Sequence, residues 1–469
     1  MTRSAVVNDY NHPQPGATST LTLDEKVARE IIKNGIQRPK GYVVSYHANP
    51  EVERMHFGPK HPMKPWRLTL TNKIIVAYGM HEAMDVYVPR AATYQEMTEY
   101  HKDDYIEFLS RITPKDKLEP DNNNVWPYNM GDDCPVFDGL YDYCSLYSGA
   151  SLDAARKLTN KQSNIAINWS GGLHHAKKAE ASGFCYINDI VLAILQLLLY
   201  HPRVLYIDID VHHGDGVEQA FWSTDRVMTL SLHKYDKVNY FPGTGGSDDI
   251  GPRNNANPGA HHSLNVPLQD GIDDDSYVQL FKDVVGPCCD IYQPTAIVIQ
   301  CGADSLGGDR LGCFNLNIRA HGACVEYTKK FGCPLLVLGG GGYTPRNVAR
   351  LWAHETSICI GTELHRSLPS HTPFIEHFAP DKSLYPELSQ TGRYDNKNSD
   401  KYLRDIVASV HEQLRYVEGS PSVQLQHVPP DLGAVREEME REIEEERDAK
   451  DHGRRRKERG AGGRGEYAH

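Results

Sequence analysis

The 469-residue chain has no apolar run approaching the roughly 20 residues that a membrane-spanning helix needs; its longest, Ile190 to Tyr200, falls well short. No membrane partner is therefore expected. Its first twenty residues, MTRSAVVNDYNHPQPGATST, contain no apolar core segment, so no secretory signal is expected either. An excess of base is also missing: 50 Lys and Arg stand against 62 Asp and Glu, a net charge of −12. That balance argues against a nucleic-acid binder held by phosphate contacts, and no direct sequence-specific nucleic-acid binding is expected. The ten cysteines, at 134, 144, 185, 288, 289, 301, 313, 324, 333 and 359, include no C-x-x-C pair and no repeated spacing. This excludes a disulfide framework and a zinc finger. Most lie in apolar runs such as Ile297 to Cys301, where a thiol packs as a small hydrophobe, which suits a reducing compartment, nucleus or cytosol. There is no internal repeat. What is abundant is histidine, with 23 residues.

Residues 1–40 are polar, proline-containing and non-periodic, and are expected to form a flexible extension. From about residue 41 short β-branched apolar runs alternate with amphipathic segments. Strands are predicted at 42–46, 165–169, 203–209, 227–232, 296–301 and 335–338; being apolar almost throughout, they read as parallel strands buried on both faces. Helices are predicted at about 67–84, 141–159, 187–200, 274–291, 316–331 and 345–360, the last opened by Thr344 and Pro345. The alternation predicts one doubly wound α/β domain over 41–385, with a carboxyl-terminal segment at 386–430 that packs on the domain or follows it. Residues 431–469 differ: ten bases and twelve acids with few apolar residues predict a charged, disordered tail and leave the preceding 430 residues with −10. Its basic cluster Arg454 to Lys457 has the composition of a nuclear-import signal, a pattern of low specificity.

In an open parallel sheet, ligands bind beyond the carboxyl ends of the strands. The residues following each predicted strand form an unusual set. SGGLHHA supplies His174 and His175; IDIDVHHGDG supplies Asp208, Asp210, His212, His213 and Asp215; GADSLGG supplies Asp304; and GGGGYTP supplies Tyr343. Asp210 and His212, two apart on extended chain, point to one side. With Asp304 they offer two carboxylates and an imidazole, a set suited to zinc that leaves a coordination position open for water or substrate. Each fragment alone is weak: a D-x-H is commonly solvent-facing, a His pair commonly a buried satisfied one, and GGGG fits either close packing or a phosphate loop. Their meeting at one sheet edge is what gives them weight.

With those residues placed, the chain closely resembles the class I zinc-dependent histone deacetylases from about Gly41 to Glu363. The resemblance rests on HPMKP at 61–65, DCPVFDGLYDYC at 133–144, GGLHHAKKAEASGFCYINDIVLAIL at 171–195, YIDIDVHHGDGVEQAF at 206–221, FPGTG at 241–245, GDRLGCFNL at 308–316 and LGGGGYTPRNVAR at 338–350. It implies the arginase/deacetylase fold, a central, mostly parallel sheet of about eight strands flanked by helices. It further implies zinc ligation by Asp210, His212 and Asp304, and tandem catalytic histidines His174 and His175 partnered by Asp208 and Asp215. Tyr343 would hydrogen-bond the substrate carbonyl, and Gly183, Phe184, Phe241 and Leu311 would wall an acetyl-lysine tunnel with Asp133 at its rim. A potassium ion would lie near the zinc, at Asp208, Asp210, His212, Ser231 and the Leu232 carbonyl. His56, Lys64, Arg310 and Arg346 match a region where inositol phosphate bridges the family to SANT-type corepressor scaffold subunits.

The activity so implied is hydrolysis of acetyl-lysine in histone tails, within a nuclear corepressor complex that regulates transcription. A metal polarises the amide and acidifies water, a histidine moves the proton, here assigned to His175, and Tyr343 steadies the oxyanion. Four departures from the family pattern bear on peptide preference: Lys60 where glycine is usual, Trp66 where histidine is usual, KYDKVNY at 234–240, about two residues longer than usual at the tunnel rim, and the divergent, polar stretch from Ser247 to His262. Two alternatives stand beside this reading, an acetylpolyamine deacetylase or one acting mainly on non-histone proteins, and a largely non-catalytic scaffold. A two-manganese arginase-type hydrolase is disfavoured because CGAD carries one carboxylate where that chemistry needs two.

Overall fold

A computed structural model of the chain describes residues 21–116, 118–120, 126–254, 256–388 and 394–417, with Met439, Arg441 and Ile443 beyond them. The elements run α1 (Leu23–Asn34), β1 (Val44–His47), α2 (Pro50–Glu53), α3 (Trp66–Tyr78), β2 (Asp85–Tyr87), α4 (Tyr94–Thr98), α5 (Asp103–Arg111), α6 (Leu140–Thr159), β3 (Ile165–Asn168) and α7 (Asp189–Leu198). They continue with β4 (Val204–Asp208), α8 (Asp215–Ala220), β5 (Val227–Lys234), β6 (Ser263–Leu268), α9 (Asp274–Tyr292), β7 (Ala296–Gln300), α10 (Ile318–Lys329), β8 (Leu335–Leu338), α11 (Pro345–Ile360) and α12 (Asp400–Leu414).

The eight strands form one sheet in the order β2-β1-β3-β8-β7-β4-β5-β6. Every pairing in it is parallel. Alternate residues serve opposite faces. Ala166, Tyr206, Val298 and Leu336 pack with Ala154, Ala155 and Leu158 of α6 and Ile190, Ile194 and Leu197 of α7. Ile167, Ile207, Ile299 and Val337 face the larger cluster built by Phe281 of α9, Val325 of α10 and Trp352 of α11. This two-sided burial is why the strands read as unbroken apolar runs. After β3 the chain jumps to β4, and β7 and β8 return later to fill the gap. The four central strands therefore bring their carboxyl ends together at the place where the winding reverses.

Two strands lay outside the expected set. β2 has only three residues. β6, SLNVPL, carries Asn265 and Pro267. A proline cannot donate to a ladder and is tolerated at a sheet edge, and β6 is such an edge, covered by α12: Gln413 Nε2 donates to Ser263 O (2.6 Å) and the Tyr402 hydroxyl to Pro267 O (2.8 Å).

The amino-terminal segment also differs from expectation. Residues 23–34, assigned from composition to a flexible extension, form a helix. Thr22 and Glu25 make a reciprocal capping box, and Gly35 closes the helix in a left-handed conformation. Ile31 and Val27 reach Gly79 at the end of α3, so the helix is docked rather than free. A T-x-x-E signature at Thr22 and Glu25 marks this helix start in the sequence, inside the polar stretch. Residues 1–20 and nearly all of the predicted charged tail, Arg454 to Lys457 included, lie outside the described residues.

Removing the cap tests this docking. Thr22→Ala should cost about 1 kcal/mol of helix stability, read as roughly fivefold faster amide exchange across residues 23–34. Equal, unprotected exchange in both proteins would contradict a docked helix.

Candidate active site and metal centre

Sheet register sets the site. Asn168 of β3 pairs with Leu338 of β8, Leu338 with Gln300 of β7, Gln300 with Asp208 of β4, and Asp208 with Ser231 of β5. These residues form one row across five strands, and the segments just beyond it carry His174, His175, Asp210, His212, Asp304 and Tyr343.

Ligand atoms of Asp210, His212 and Asp304 lie within 4.8 Å of one another, all buried. His212 Nδ1 is 3.1 Å from Asp210 Oδ1 and 3.2 Å from Asp304 Oδ2. Gln300 Nε2 and Gly341 N donate to Asp210 Oδ2 at 2.9 and 2.8 Å, and Val211 N donates to Asp304 Oδ1 at 3.1 Å. Asp304 Oδ2 is buried and has no hydrogen bond among the described residues. A buried acceptor left over beside an imidazole nitrogen and a second carboxylate fits a bound divalent cation. The electrostatics point the same way. Burial and the neighbouring Asp210 push Asp304 up to about 7, while His212, which burial would depress, is lifted to about 10 by the two carboxylates. The cluster demands positive charge.

The four glycines after β8 are explained by close packing. A side chain at Gly341 would begin 2.0 Å from Asp304 Oδ2 and 2.9 Å from Asp210 Oδ2. Their neighbours are protein atoms drawn tightly together, which decides between the two readings of GGGG in favour of packing.

His174 Nδ1 donates to Asp208 Oδ2 (2.7 Å) and His175 Nδ1 to Asp215 Oδ1 (2.8 Å). The two rings are 3.9 Å apart between centroids. Their environments separate them: burial opposes charge on both, but Asp208 and Asp210 raise His174 to about 9. His175, next to cationic His174, falls to about 3 despite Asp215. Asp215 is itself drawn well below the usual carboxylate range by His175 and Lys177, which overcome its burial. Tyr343 is held by its backbone N–H, which donates to Asp309 Oδ2 (2.7 Å). Burial, then the charges of Asp304 and Asp210, push its hydroxyl well above the usual phenol range, so it remains a donor.

Aromatic side chains gather beside these groups. Phe241 sets its ring edge-on to His175 at 4.8 Å and is 44% exposed, so it reaches the surface. Phe184 sets its ring edge-on to that of Tyr343, centroids 5.7 Å apart. The Gly183 backbone runs so close to His175 Cδ2 that a side chain there would begin 2.5 Å from it. Leu311 is anchored through its N–H to Asp309 Oδ1 (2.9 Å). Asp133 is exposed; its carbonyl is 3.2 Å from His61 Nε2, and the His61 ring stacks edge-on against Phe184.

The remaining candidates are more scattered. Ser231 Oγ lies 2.9 Å from His233 Nδ1 and accepts from Gly214 N (3.4 Å), beside Asp208 and next to Leu232. Lys64 turns its ammonium onto the carbonyls of Gly58 and Pro59 (2.8 and 2.9 Å). Arg310, Arg346 and His56 are exposed. The segments carrying Lys64, Arg310 and Arg346 converge near Tyr343, because Arg67 donates to Gly340 O and Gly342 O (2.6 and 2.8 Å) and Asp309 holds Tyr343.

Several contributors were missed from the sequence. Gln300 bridges Asp210 and the Gly172 carbonyl. Asp189 gathers the N–H groups of Gly172 and Leu173 and so fixes the loop before the tandem histidines. Tyr206 donates to Asp208 Oδ2 (2.6 Å). Tyr240 stacks on His212, centroids 5.3 Å apart and 12° from parallel. Gln300, at the end of β7 directly before CGAD, carried a positional signal, and Tyr206 lies two residues before the Asp208 it serves; Asp189 and Tyr240 act on separate segments.

Residues 61–359 match the histone deacetylase domain family. The chain is 54% identical over 395 residues to histone deacetylase 9 of Arabidopsis thaliana, covering 83% of this chain and 89% of that protein. It is 52% identical over 394 residues to histone deacetylase B of Dictyostelium discoideum (83% and 90%). It is 51% identical over 388 residues to human histone deacetylase 1 (83% and 78%).

The packing at Gly341 yields a test. Gly341→Ala should part the two aspartates and destabilise the fold by about 1–3 kcal/mol, measured by urea unfolding. An unchanged midpoint would mean that the carboxylates are not pressed against this backbone.

Proposed function

The chain belongs to the histone deacetylase family, in its class I branch, and on that premise we propose that it hydrolyses acetyl-lysine in histone tails at the centre formed by Asp210, His212 and Asp304. The observation that carries the reading is this buried carboxylate–imidazole–carboxylate cluster beside two histidine–carboxylate pairs. Zinc suits the donor set, and when bound it would supply Lewis-acid polarisation of the amide carbonyl and a more acidic water.

The chain's own groups divide the remaining work. His175, with its Nδ1 proton committed to Asp215, has Nε2 free to take a proton from water and return it to the leaving lysine nitrogen. His174, kept cationic by Asp208 and Asp210, contributes fixed positive charge. The two are close enough to titrate as a pair. The Tyr343 hydroxyl donates to the carbonyl oxygen as it gains negative charge. Phe184 and Phe241, with Gly183 and Leu311, flank the slim aliphatic stem, and Asp133 accepts from the peptide backbone. The neutral acetylated end tolerates this dry passage, whereas the charged lysine product loses hydration there and leaves.

Around this centre we infer a potassium ion at Asp208, Asp210, His212, Ser231 and the Leu232 carbonyl. An inositol phosphate is inferred at His56, Lys64, Arg310 and Arg346, joining the enzyme to a SANT-type corepressor subunit in the nucleus. Cationic segments meeting near Tyr343 in a chain of net charge −12 support a polyanion there.

Two measurements test the reading. Zinc added to chelator-treated protein should raise the unfolding temperature, and Asp304→Ala should abolish that rise, since a ligand stabilises only the state that binds it; an equal rise in the variant would remove Asp304 from the metal site. Tyr343→Phe should lower kcat on acetylated histone peptide about 100- to 1,000-fold with unfolding unchanged, and full retained activity would overturn its role. Faster turnover of acetylspermidine than of the peptide would favour a polyamine substrate.

A further inference from the structure

The segment between β5 and Phe241 has an internal architecture. Asp236 Oδ1 accepts the backbone N–H groups of Val238 and Asn239, both at 3.0 Å, and the Asn239 side chain donates to both Asp236 oxygens at 3.2 Å. The aspartate thus ties residues 236–239 into a turn without relying on the rest of the protein. Both ends of the turn are anchored. Tyr235 N donates to Leu268 O (3.0 Å), and Lys234 pairs with Asp270 (3.0 Å). At the other end Tyr240 stacks on His212, and its hydroxyl donates to Leu311 O (3.3 Å).

This fixed turn exposes an apolar side chain. Val238 is 86% exposed, the most exposed large hydrophobic residue among those described. Its flanking residues Lys237 and Asn239 also face solvent. Three residues on, Phe241 sets its ring edge-on to His175 and itself reaches the surface. Three residues of chain span at most about 11 Å, and an extended peptide advances about 3.3 Å per residue. The side chains within three residues of a lysine inserted beside Phe241 therefore fall within reach of Val238. Elsewhere on the rim Asp132 and Asp133 are exposed, so that part is acidic.

We propose that Val238, presented by the Asp236-tied turn, is a specificity-determining residue that contacts an apolar side chain within three residues of the acetyl-lysine. The inference rests on the deacetylase reading above. An isolated valine on a flexible loop would lose ordering entropy on contact; one held by a capped turn has already lost it, so the apolar contact appears in binding of the peptide. A charged residue at that flank would lose hydration against Val238 without an apolar gain, whereas a basic residue suits the acidic part of the rim.

The test uses the full chain and acetyl-lysine peptides that differ at one flank, carrying Leu or Ser in turn at each position from −3 to +3. The wild type should prefer Leu at one of these positions by about tenfold in kcat/KM, and Val238→Ser should reduce that ratio to below about twofold. Asp236→Ala, which loosens the turn but keeps Val238, should give an intermediate ratio. Ile32→Ser, an equally exposed apolar residue on α1, should leave the ratio as in the wild type. No Leu preference in the wild type, or the same preference in Val238→Ser, would overturn the proposal. An acetyl-lysine substrate with no flanking residues separates the two readings. Its turnover by the wild type without any flank effect defeats this inference alone, and a failure to turn over any acetyl-lysine substrate defeats the deacetylase assignment.

Discussion

Two carboxylates buried side by side set the terms for the rest of this molecule. Asp210 and Asp304 cannot both keep their charge in a dry core without positive charge between them. The surroundings meet that demand with His212 between them, with Gln300 and the Gly341 N–H on Asp210, and with His174 close behind. Such an arrangement is costly as a purely structural device, because an apolar cluster of the same size would stabilise the fold as well or better. Its persistence at the carboxyl edge of the sheet makes sense as a receptacle for a cation that works on a substrate.

From that constraint the neighbouring features follow as successive supports. The carboxylates can approach only because Gly341 has no side chain. The tandem histidines stand close together yet differ in charge, because one faces two aspartates and the other faces the first histidine. Lys177 steadies Asp215 and Asp309 steadies both Tyr343 and Leu311, so the groups lining the passage are fixed by residues that do not themselves enter it. Rigidity continues to the surface through Tyr240, which links the His212 ring to the loop that carries Val238.

Much of the architecture was legible beforehand. Six of the strands and six of the helices, α3, α6, α7, α9, α10 and α11, announced themselves through apolar runs and periodicity, since burial on both faces or one face leaves a direct mark on sequence, whereas α12 went unread. Other elements did not. β2 is too short to show a pattern, and β6 carries a proline and an asparagine that only its edge position and the cover of α12 make acceptable. Helix α1 had a readable cap, but its docking on α3 depends on a partner some 45 residues away, which local composition does not encode. At the site, histidines and aspartates at strand ends could be picked out by position; Asp189, Asp309 and Tyr240 could not, since each matters through a partner on another segment, Gly172 and Leu173, Tyr343, and His212 respectively.

By itself, the sequence determined the class of fold, the strand ends that carry chemistry, and the family, because those rest on local periodicity and on ordered motifs. Tertiary structure alone decided that His174 faces two aspartates while His175 faces His174 and Asp215, that GGGG is packing rather than a phosphate loop, and that the loop before Phe241 is tied into a turn with Val238 outward. The reason is physical: protonation, close approach and exposure are properties of what surrounds a group within a few ångströms, and those surroundings are assembled from segments that meet only when the sheet closes its register.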